Sequence, residues 1–171
     1  MFLDPENFTI AQRKEFGMWP DANMISQAMI PYVKRIRSDN VSVLISGDKK
    51  GENIVDFVEN VKKITSITTL NKDSTEDEKK VFAENTKNIS IISCDIIKEP
   101  VDIVCVADNA CTEENLTLIY EAVKHGGIFC GNGHETTKVK EELTKFRRNT
   151  RIGTPIMIAN RAVWFWYKRQ S

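Results

Sequence analysis

VSVLISGDKKGEN, residues Val41–Asn53, is the segment that decides the fold of this chain. Its nearly continuous apolar run stops at Gly47, which predicts a strand buried on both faces of a sheet. A short polar loop follows, and Gly51 precedes apolar residues at helical spacing. The order of strand, tight turn and helix is typical of the place where parallel α/β sheets bind the charged end of a nucleotide-like ligand.

The composition is that of a soluble globular protein. The chain has 171 residues, of which 41% are hydrophobic, and Lys+Arg and Asp+Glu both number 24, so that the formal net charge is +0. This balance gives no general attraction to nucleic acid or to an anionic membrane. We expect one domain over residues 1–171, with residues 1–38 as an N-terminal helical arm or lid.

The N-terminal sequence MFLDPENFTI carries acidic residues rather than a basic start and an apolar core. No apolar stretch is long enough to cross a bilayer. We therefore expect no signal peptide, no membrane span and a cytoplasmic location. The four cysteines, which form no CxxC pair, agree with a reducing compartment and are interpreted mainly as small buried side chains. They are Cys94, Cys105, Cys111 and Cys130.

Short apolar runs alternate with segments of helical periodicity along the chain. Strands are predicted at residues 41–46, 64–70, 89–93, 101–107 and 127–131, and a hairpin around Ala159-Asn160-Arg161 closes the sequence. A helix is predicted before the first strand, and a capping box at Thr75–Glu78 begins another. Thr112 caps a helix whose apolar face extends to Val123, and a further helix spans residues 135–147.

This order predicts an α/β fold. Alternation of strands and helices favours a doubly wound, mostly parallel sheet of about seven strands, with helices on both faces and a C-terminal antiparallel hairpin. The two tryptophans of the last strand, Trp164 and Trp166, share one face and are expected to pack against a helix or a partner subunit. Ligands of such sheets bind outside the carboxyl ends of the strands, which here carry acidic and amide residues.

At this point the chain resembles a known family, the class I S-adenosylmethionine-dependent methyltransferases, in particular the small-molecule group with the first motif acid-x-Gly-x-x-x-Gly. The matching segment is Ile45–Gly51, with Ile45 at the position of the acid. Residues 101–136 resemble that group's strand ending in Asp, the following helix and a Gly-Gly turn into the next strand. Residues 152–169 resemble its antiparallel last strand. The resemblance extends from about Asp21 to the C-terminus and implies a Rossmann-like sheet.

The resemblance implies S-adenosylmethionine as the cofactor and assigns a set of residues to it. Glycines let the backbone approach the amino-acid and ribose moieties of the cofactor. Asn71 or Asp73 would accept hydrogen bonds from the ribose hydroxyls, and Asp95 would bind the adenine amino group. Ile96 would donate its backbone N–H and pack on the ring, and Asp108 would face the methyl-transfer region. The assigned residues are Gly47, Asp48, Gly51, Asn71, Asp73, Asp95, Ile96 and Asp108.

Asp108 and His134 are the candidate catalytic residues. His134 suits a general base that removes a proton from an attacking hydroxyl or amine, and the alternative is an ordinary loop histidine beside a helix start. Methyl transfer is an in-line displacement that rests mainly on positioning, so a strong base is not required. Some relatives bind Mg²⁺ with an Asp after the fourth strand, which Asp108 matches, and with an Asp-Asn pair after the fifth strand. Because Gly131-Asn132 stands in place of the pair, no metal is predicted.

Two functions from different classes remain. The first is methyl transfer from S-adenosylmethionine to an unidentified acceptor, which we expect to be a small molecule rather than a nucleic acid. The second is a non-catalytic methyltransferase-like module for binding or assembly, which has lost anchoring acids such as the one at Ile45. A nicotinamide-dependent dehydrogenase is disfavoured because GDKKGE is not G-x-G-x-x-G. Assembly into a homo-oligomer stays open.

Overall fold

The protein is described by a computed structural model that covers residues 25–70, 74–87, 89–93 and 99–169. Helices and strands alternate through these ranges in the predicted order. The helices are α1 (Ile25–Lys34), α2 (Val55–Asn60), α3 (Glu76–Asn85), α4 (Glu113–Tyr120) and α5 (Thr137–Asn149). The strands are β1 (Val41–Ser46), β2 (Ile64–Thr69), β3 (Ser90–Ser93), β4 (Val101–Val106), β5 (Val123–Gly131), β6 (Met157–Ala159) and β7 (Val163–Tyr167). Short 3₁₀ helices at Glu52–Ile54 and Asp108–Ala110 follow the turns after β1 and β4.

Seven described strands form one sheet in the order β3-β2-β1-β4-β5-β7-β6. The first five strands of this order pair in parallel, whereas β7 pairs antiparallel with both β5 and β6. The predicted α/β class, the mostly parallel sheet and the C-terminal hairpin are thereby confirmed. Asn160 and Arg161 at the hairpin turn have φ angles of 49° and 67°, which suit the tight turns that connect antiparallel strands.

Alternate strand residues point to opposite faces of the sheet, and both faces are covered by helices. Ile45 packs in a cluster with residues of α1, α2 and α3. Its neighbour Leu44 packs in a second cluster with residues of α4 and α5. The central strands therefore appear in the sequence as continuous apolar runs, because neither face is exposed to water.

The carboxyl ends of β1 to β5 lie at the same edge of the sheet, which we call the carboxyl edge. The predicted capping box at the start of α3 is present, with Thr75 and Glu78 each accepting a backbone hydrogen bond from the other residue. Trp164 and Trp166 are fully buried with α4 and α5 residues, so they pack against helices of the same chain. No helix in the described part of the chain is long and apolar enough to cross a membrane.

The predicted end of α4 is wrong. Val123 does not belong to a helix, because α4 ends at Tyr120 and Val123 opens β5. The side-chain ammonium of Lys168 donates hydrogen bonds to the carbonyl oxygens of Tyr120 and Val123. The carbonyl group of Tyr120, which has no partner within α4, thereby gains a donor. The register of β4 against β5 then shifts, so that Val101 pairs with Val123 and Ile103 with Ile128. Residues between Val123 and Ile128 form a bulge rather than a helix end.

Candidate functional site at the carboxyl edge of the sheet

Both glycines of the loop after β1 have left-handed backbone conformations, with φ angles of +86° at Gly47 and +73° at Gly51. A Cβ atom on Gly47 would lie 2.6 Å from the Cβ of Ala110 and 2.8 Å from Oδ1 of Asn109. A Cβ atom on Gly51 would lie 3.2 Å from the ring of Phe82. The loop needs glycine at both positions because of these φ angles and because neighbouring elements pack closely against it. A contribution of either glycine to cofactor binding stays a prediction.

The side chain of Asp48 stabilises this loop through hydrogen bonds with the backbone of the loop itself. Its carboxylate accepts hydrogen bonds from the backbone N–H groups of Asn53 at 2.9 Å and Glu52 at 3.2 Å, and the residue is only 7% exposed. Burial raises the pKa of Asp48 to about 6, although the backbone N–H groups act in the opposite direction. Asp48 therefore stabilises the start of the 3₁₀ helix after β1, and its predicted contact with a cofactor remains to be tested.

Side-chain amides connect the ends of three strands. Asn115 of α4 donates from Nδ2 to Oγ of Ser46 at 3.1 Å and to the carbonyl oxygen of Ala110 at 2.9 Å. Asn132, directly after β5, donates from Nδ2 to Oδ1 of Asn53 at 3.4 Å. The structure therefore brings the ends of β1, β4 and β5 together at the carboxyl edge, as the parallel sheet predicts.

Asp108 lies exposed at the junction between the ends of β4 and β5. Its Oδ1 accepts a hydrogen bond from the backbone N–H of Asn109 at 2.8 Å. Gly133 packs against it so closely that a Cβ atom on this glycine would lie 2.7 Å from the Cβ of Asp108. Asp108 is thus placed at the centre of the carboxyl edge, while its catalytic and cofactor-binding roles stay predictions.

The four remaining residues assigned to the cofactor follow β2 and β3. They lie outside the described residues, and their roles stay predictions: Asn71, Asp73, Asp95 and Ile96. The pairing of β2 and β3 in the sheet shows where the chain leaves these two strands. Ile45 of β1 pairs with Thr69 of β2, so the chain that continues to Asn71 leaves the sheet beside the glycine loop.

A groove of about 240 Å³ lies beside the glycine loop. We call it the glycine-loop groove, and its lining residues are Gly47, Asp48, Lys49, Lys50, Glu52, Glu78 and Asn109. It contains side chains of both charges. The pKa of Glu78 is lowered first by its hydrogen bond with the Thr75 backbone N–H and also by the charges of Lys49 and Lys50. The groove can therefore bind a ligand that carries a positive and a negative group.

His134 lies in a different place. It lines a groove of about 360 Å³ along α5, which we call the α5 groove and which is lined by His134, Lys140, Leu143, Thr144, Arg147 and Ile156. Burial, followed by the charge of Lys140, lowers the pKa of His134. The residues that line the glycine-loop groove do not include His134, so this predicted base and the predicted loop glycines line different grooves.

The sequence pattern does not indicate that Glu78 belongs to the site. It predicts Glu78 as the capping-box partner of Thr75, and the structure shows that the same residue also lines the glycine-loop groove. Asn85 at the end of α3 explains the placement, because its Nδ2 donates to the carbonyl oxygen of Lys50 at 2.8 Å. This contact joins residues 35 positions apart, and no local sequence signal predicts it.

Metal binding has no support among the described residues. Within residues 25–70, 74–87, 89–93 and 99–169, no group of three or more His, Cys, Asp or Glu side chains is arranged to hold a metal ion. The expectation of a site without metal stays a prediction, since the segments after β2 and β3 lie outside these ranges.

Comparison with known proteins gives a result at the level of structure only. No protein-family profile matches the sequence, and no curated protein sequence matches it. Many solved structures are similar in fold. A protein from Methanococcus maripaludis assigned as an S-adenosylmethionine-dependent methyltransferase has a TM-score of 0.60 and 12% identity, over 94% of this chain and 92% of that one.

Two further similar structures are enzymes of related types. An O-methyltransferase from Bacillus cereus, solved in complex with S-adenosylhomocysteine, has a TM-score of 0.56 and 8% identity, over 97% of this chain and 84% of that one. A precorrin-6y C5,15-methyltransferase from Geobacter metallireducens has a TM-score of 0.58 and 11% identity, over 82% of this chain and 87% of that one. At such identities the likeness concerns the fold. With its strand order and its antiparallel β7, this chain has the fold of the class I S-adenosylmethionine-dependent methyltransferases.

Proposed function

We propose that this protein binds S-adenosylmethionine at the carboxyl edge of its sheet and transfers the methyl group to a small-molecule acceptor. The observation that carries the proposal is the sheet order β3-β2-β1-β4-β5-β7-β6, with the ends of β1, β4 and β5 joined beside the glycine-loop groove. In parallel sheets this edge is the usual ligand site. The three similar structures described above, each of them named as a methyltransferase, support the same function.

The described residues fit the amino-acid end of the cofactor. That end is a zwitterion, and the glycine-loop groove contains the cations Lys49 and Lys50 together with the carboxyl groups of Glu52 and Glu78. Ile45, at the position where the family has an acid, is fully buried among apolar side chains and offers no charge. We therefore expect the groove residues, rather than position 45, to bind the charged tail.

The bound cofactor would supply an electrophilic methyl group on a sulfonium. We assign Gly47, Asp48, Gly51, Asn71, Asp73, Asp95, Ile96 and Asp108 to its binding, as the family resemblance implies. Asp108 would lie closest to the acceptor, because it occupies the junction of the β4 and β5 ends. His134 stays a candidate base, since its lowered pKa leaves the imidazole neutral near pH 7 and able to accept a proton.

The acceptor class rests on two arguments. Precorrin methyltransferases are among the similar structures and are named for a small acceptor, whereas the name O-methyltransferase gives only oxygen as the accepting atom. A formal net charge of +0 gives no general attraction to nucleic acid, whose binding depends on cationic surfaces. We also propose that the chain is a single cytoplasmic domain that works alone or as a homo-oligomer.

Ligand binding tests the proposed function directly. We expect S-adenosylmethionine and S-adenosylhomocysteine to raise the melting temperature and to give saturable heats in calorimetry, because a ligand that binds the native state stabilises it by about 2.7 kcal/mol at one hundred times its dissociation constant. The variant Asp95→Ala should weaken binding, since it removes the acceptor that is assigned to the adenine amino group.

The matched control is Glu121→Ala, which removes one carboxylate from the exposed end of α4 at the opposite edge of the sheet. It should bind as tightly as the wild type. If millimolar cofactor produces no thermal shift and no heat, the methyl-transfer proposal is wrong and the chain is a binding or assembly module. If binding is present, release of S-adenosylhomocysteine in the presence of hydroxyl-bearing small molecules identifies the acceptor.

A further inference from the structure

The α5 groove carries nitrogen-bearing side chains and no carboxyl group. Lys140, Arg147 and His134 line it, together with Leu143, Thr144 and Ile156. The ammonium group of Lys140 makes no hydrogen bond or ion pair with any residue in the described ranges. Positive charge that is concentrated in a concave surface attracts anions, and a lysine without a protein partner can form an ion pair with a ligand at no cost to the fold.

Arg147 is held in a fixed orientation in this groove. Its Nη2 donates a hydrogen bond to the carbonyl oxygen of Thr154, and its Cζ lies 4.6 Å from the centre of the Trp166 ring. A cation that is already ordered loses little conformational entropy when it binds a ligand. Lys140 and Arg147 are seven residues apart on α5, about two turns or ~10 Å along the helix axis, so both side chains reach the same groove.

The other lining residues define what else a ligand needs. His134 has a lowered pKa because of burial and then Lys140, with Glu135 acting in the opposite direction, so near pH 7 its neutral ring can donate one N–H. The hydroxyl of Thr144 already donates to the carbonyl oxygen of Lys140 at 2.8 Å and is not a donor for a ligand. Leu143 and Ile156 provide an apolar wall.

We propose that the α5 groove is a binding site for a small organic anion, in which a phosphate or carboxylate group is bound by Lys140, Arg147 and His134 while an apolar body contacts Leu143 and Ile156. The groove is lined by α5, the loop that precedes α5 and the segment before β6, and it shares no lining residue with the glycine-loop groove. The inference therefore does not depend on the proposed methyl transfer and is tested without the cofactor.

Titration with phenyl phosphate, benzoate, inorganic phosphate and phenol, followed by NMR of the histidine ring protons and by calorimetry, tests the site. We expect phenyl phosphate or benzoate to bind and to shift the His134 resonances toward those of the protonated ring, while the exposed His125 does not respond. Which of the two binds more tightly identifies the group as phosphate or carboxylate. Inorganic phosphate should bind more weakly than phenyl phosphate, because it lacks the apolar body.

Two charge-neutralising variants on the same helix complete the test. Lys140→Gln should weaken binding roughly tenfold, as expected for the loss of one charge-assisted contact. Lys145→Gln makes the same change in charge on α5 outside the groove and should alter binding less than about twofold. The proposal is overturned if no anion moves the His134 resonances, if phenol binds as well as phenyl phosphate, or if both variants weaken binding equally.

Discussion

The carboxyl group of Asp48 accepts hydrogen bonds from two backbone N–H groups of its loop. It is buried there, and burial favours its neutral form. Its pKa of about 6 in the folded protein lies above the ordinary value of 3.8. Between about pH 4 and pH 6 the folded state therefore binds more protons than the unfolded state, and the free energy of unfolding falls as the pH rises. The contribution of Asp48 is fully present below pH 4 and is lost above pH 6.

The variant Asp48→Asn removes this titration while keeping one oxygen acceptor for the loop. Relative to the wild type, its free energy of unfolding should increase by about 2 kcal/mol between pH 4 and pH 7, because most of the effect of the shift in pKa falls within this range. Urea denaturation of both proteins across this range measures the difference, in which the titrations of groups that do not interact with Asp48 cancel. A difference that stays constant, or that decreases with pH, would contradict the assignment.

The sequence predicts the residues of the glycine loop better than their roles. The pattern after β1 correctly places Gly47 in a tight turn, where φ is +86°. It does not predict that Asn109 and Ala110 pack against this glycine, because they lie about 60 positions further along the chain. Nor does it predict that the carboxylate of Asp48 faces its own loop, since an acid after a strand is equally typical of a ligand contact.

At the scale of elements, Tyr120 connects α4 to the last strand. Its hydroxyl accepts a hydrogen bond from Nε1 of the fully buried Trp166 at 3.2 Å. The variant Tyr120→Phe keeps the ring against Phe129 and Phe146 but leaves the indole N–H without this acceptor. We expect the free energy of unfolding to fall by about 1–3 kcal/mol, the usual cost of an unsatisfied buried donor, as measured by urea denaturation.

Tyr32→Phe is the matched control for this hydroxyl. The Tyr32 ring contacts Phe165, with the ring centres 4.6 Å apart, and its hydroxyl makes no hydrogen bond to the described part of the chain. Its removal should change stability by less than about 0.5 kcal/mol. An equal decrease in the free energy of unfolding of the two variants would show that the hydrogen bond between Tyr120 and Trp166 does not stabilise the protein.

The irregular element, β5, is the one whose start the sequence does not predict. Lys124 forms an ion pair of 3.3 Å with Asp102, and the backbone N–H of Gly126 donates to the carbonyl oxygen of Lys168 at 2.6 Å. A Cβ atom on Gly127 would lie 2.7 Å from the carbonyl oxygen of Asp102. These contacts join β5 to residues distant in the sequence, whereas local periodicity through Val123 favours a longer helix.

At the scale of the whole molecule, the fold is predictable because its causes are local and repeated. Each central strand is an apolar run such as Val41–Ser46, and the helices that follow β2, β4 and β5 begin at the capping residues Thr75, Thr112 and Thr136. The site is less predictable because it depends on which loops meet. His134 and Asp108 both follow sheet strands and are both expected at one site, yet His134 lines the α5 groove beside Lys140, which only the packing of α5 determines.

The core that this fold creates also encloses thiols. Cys105 and Cys130 are neighbours on β4 and β5, with their sulfur atoms 3.6 Å apart, and both are 0% exposed. Hydrogen bonding with Cys130, followed by burial, raises the pKa of Cys105. Burial raises the pKa of Cys111 to about 12, and this residue is 1% exposed. Because the thiolate is the reactive form, these three side chains should not react with thiol reagents in the native protein.

Thiol labelling therefore measures unfolding of the molecule as a whole. With an aromatic disulfide reagent at pH 8, we expect at most one of the four cysteines to react rapidly in the native protein, and four to react in concentrated urea. The rapid one would be Cys94, which lies outside the described residues, so Cys94→Ser should show no rapid reaction. Cys105, Cys111 and Cys130 should then react together, at a rate that increases with urea in parallel with global unfolding, because they lie in the cores on the two faces of one sheet. Rapid reaction of any of these three without urea would mean that one face of the sheet opens separately from the other.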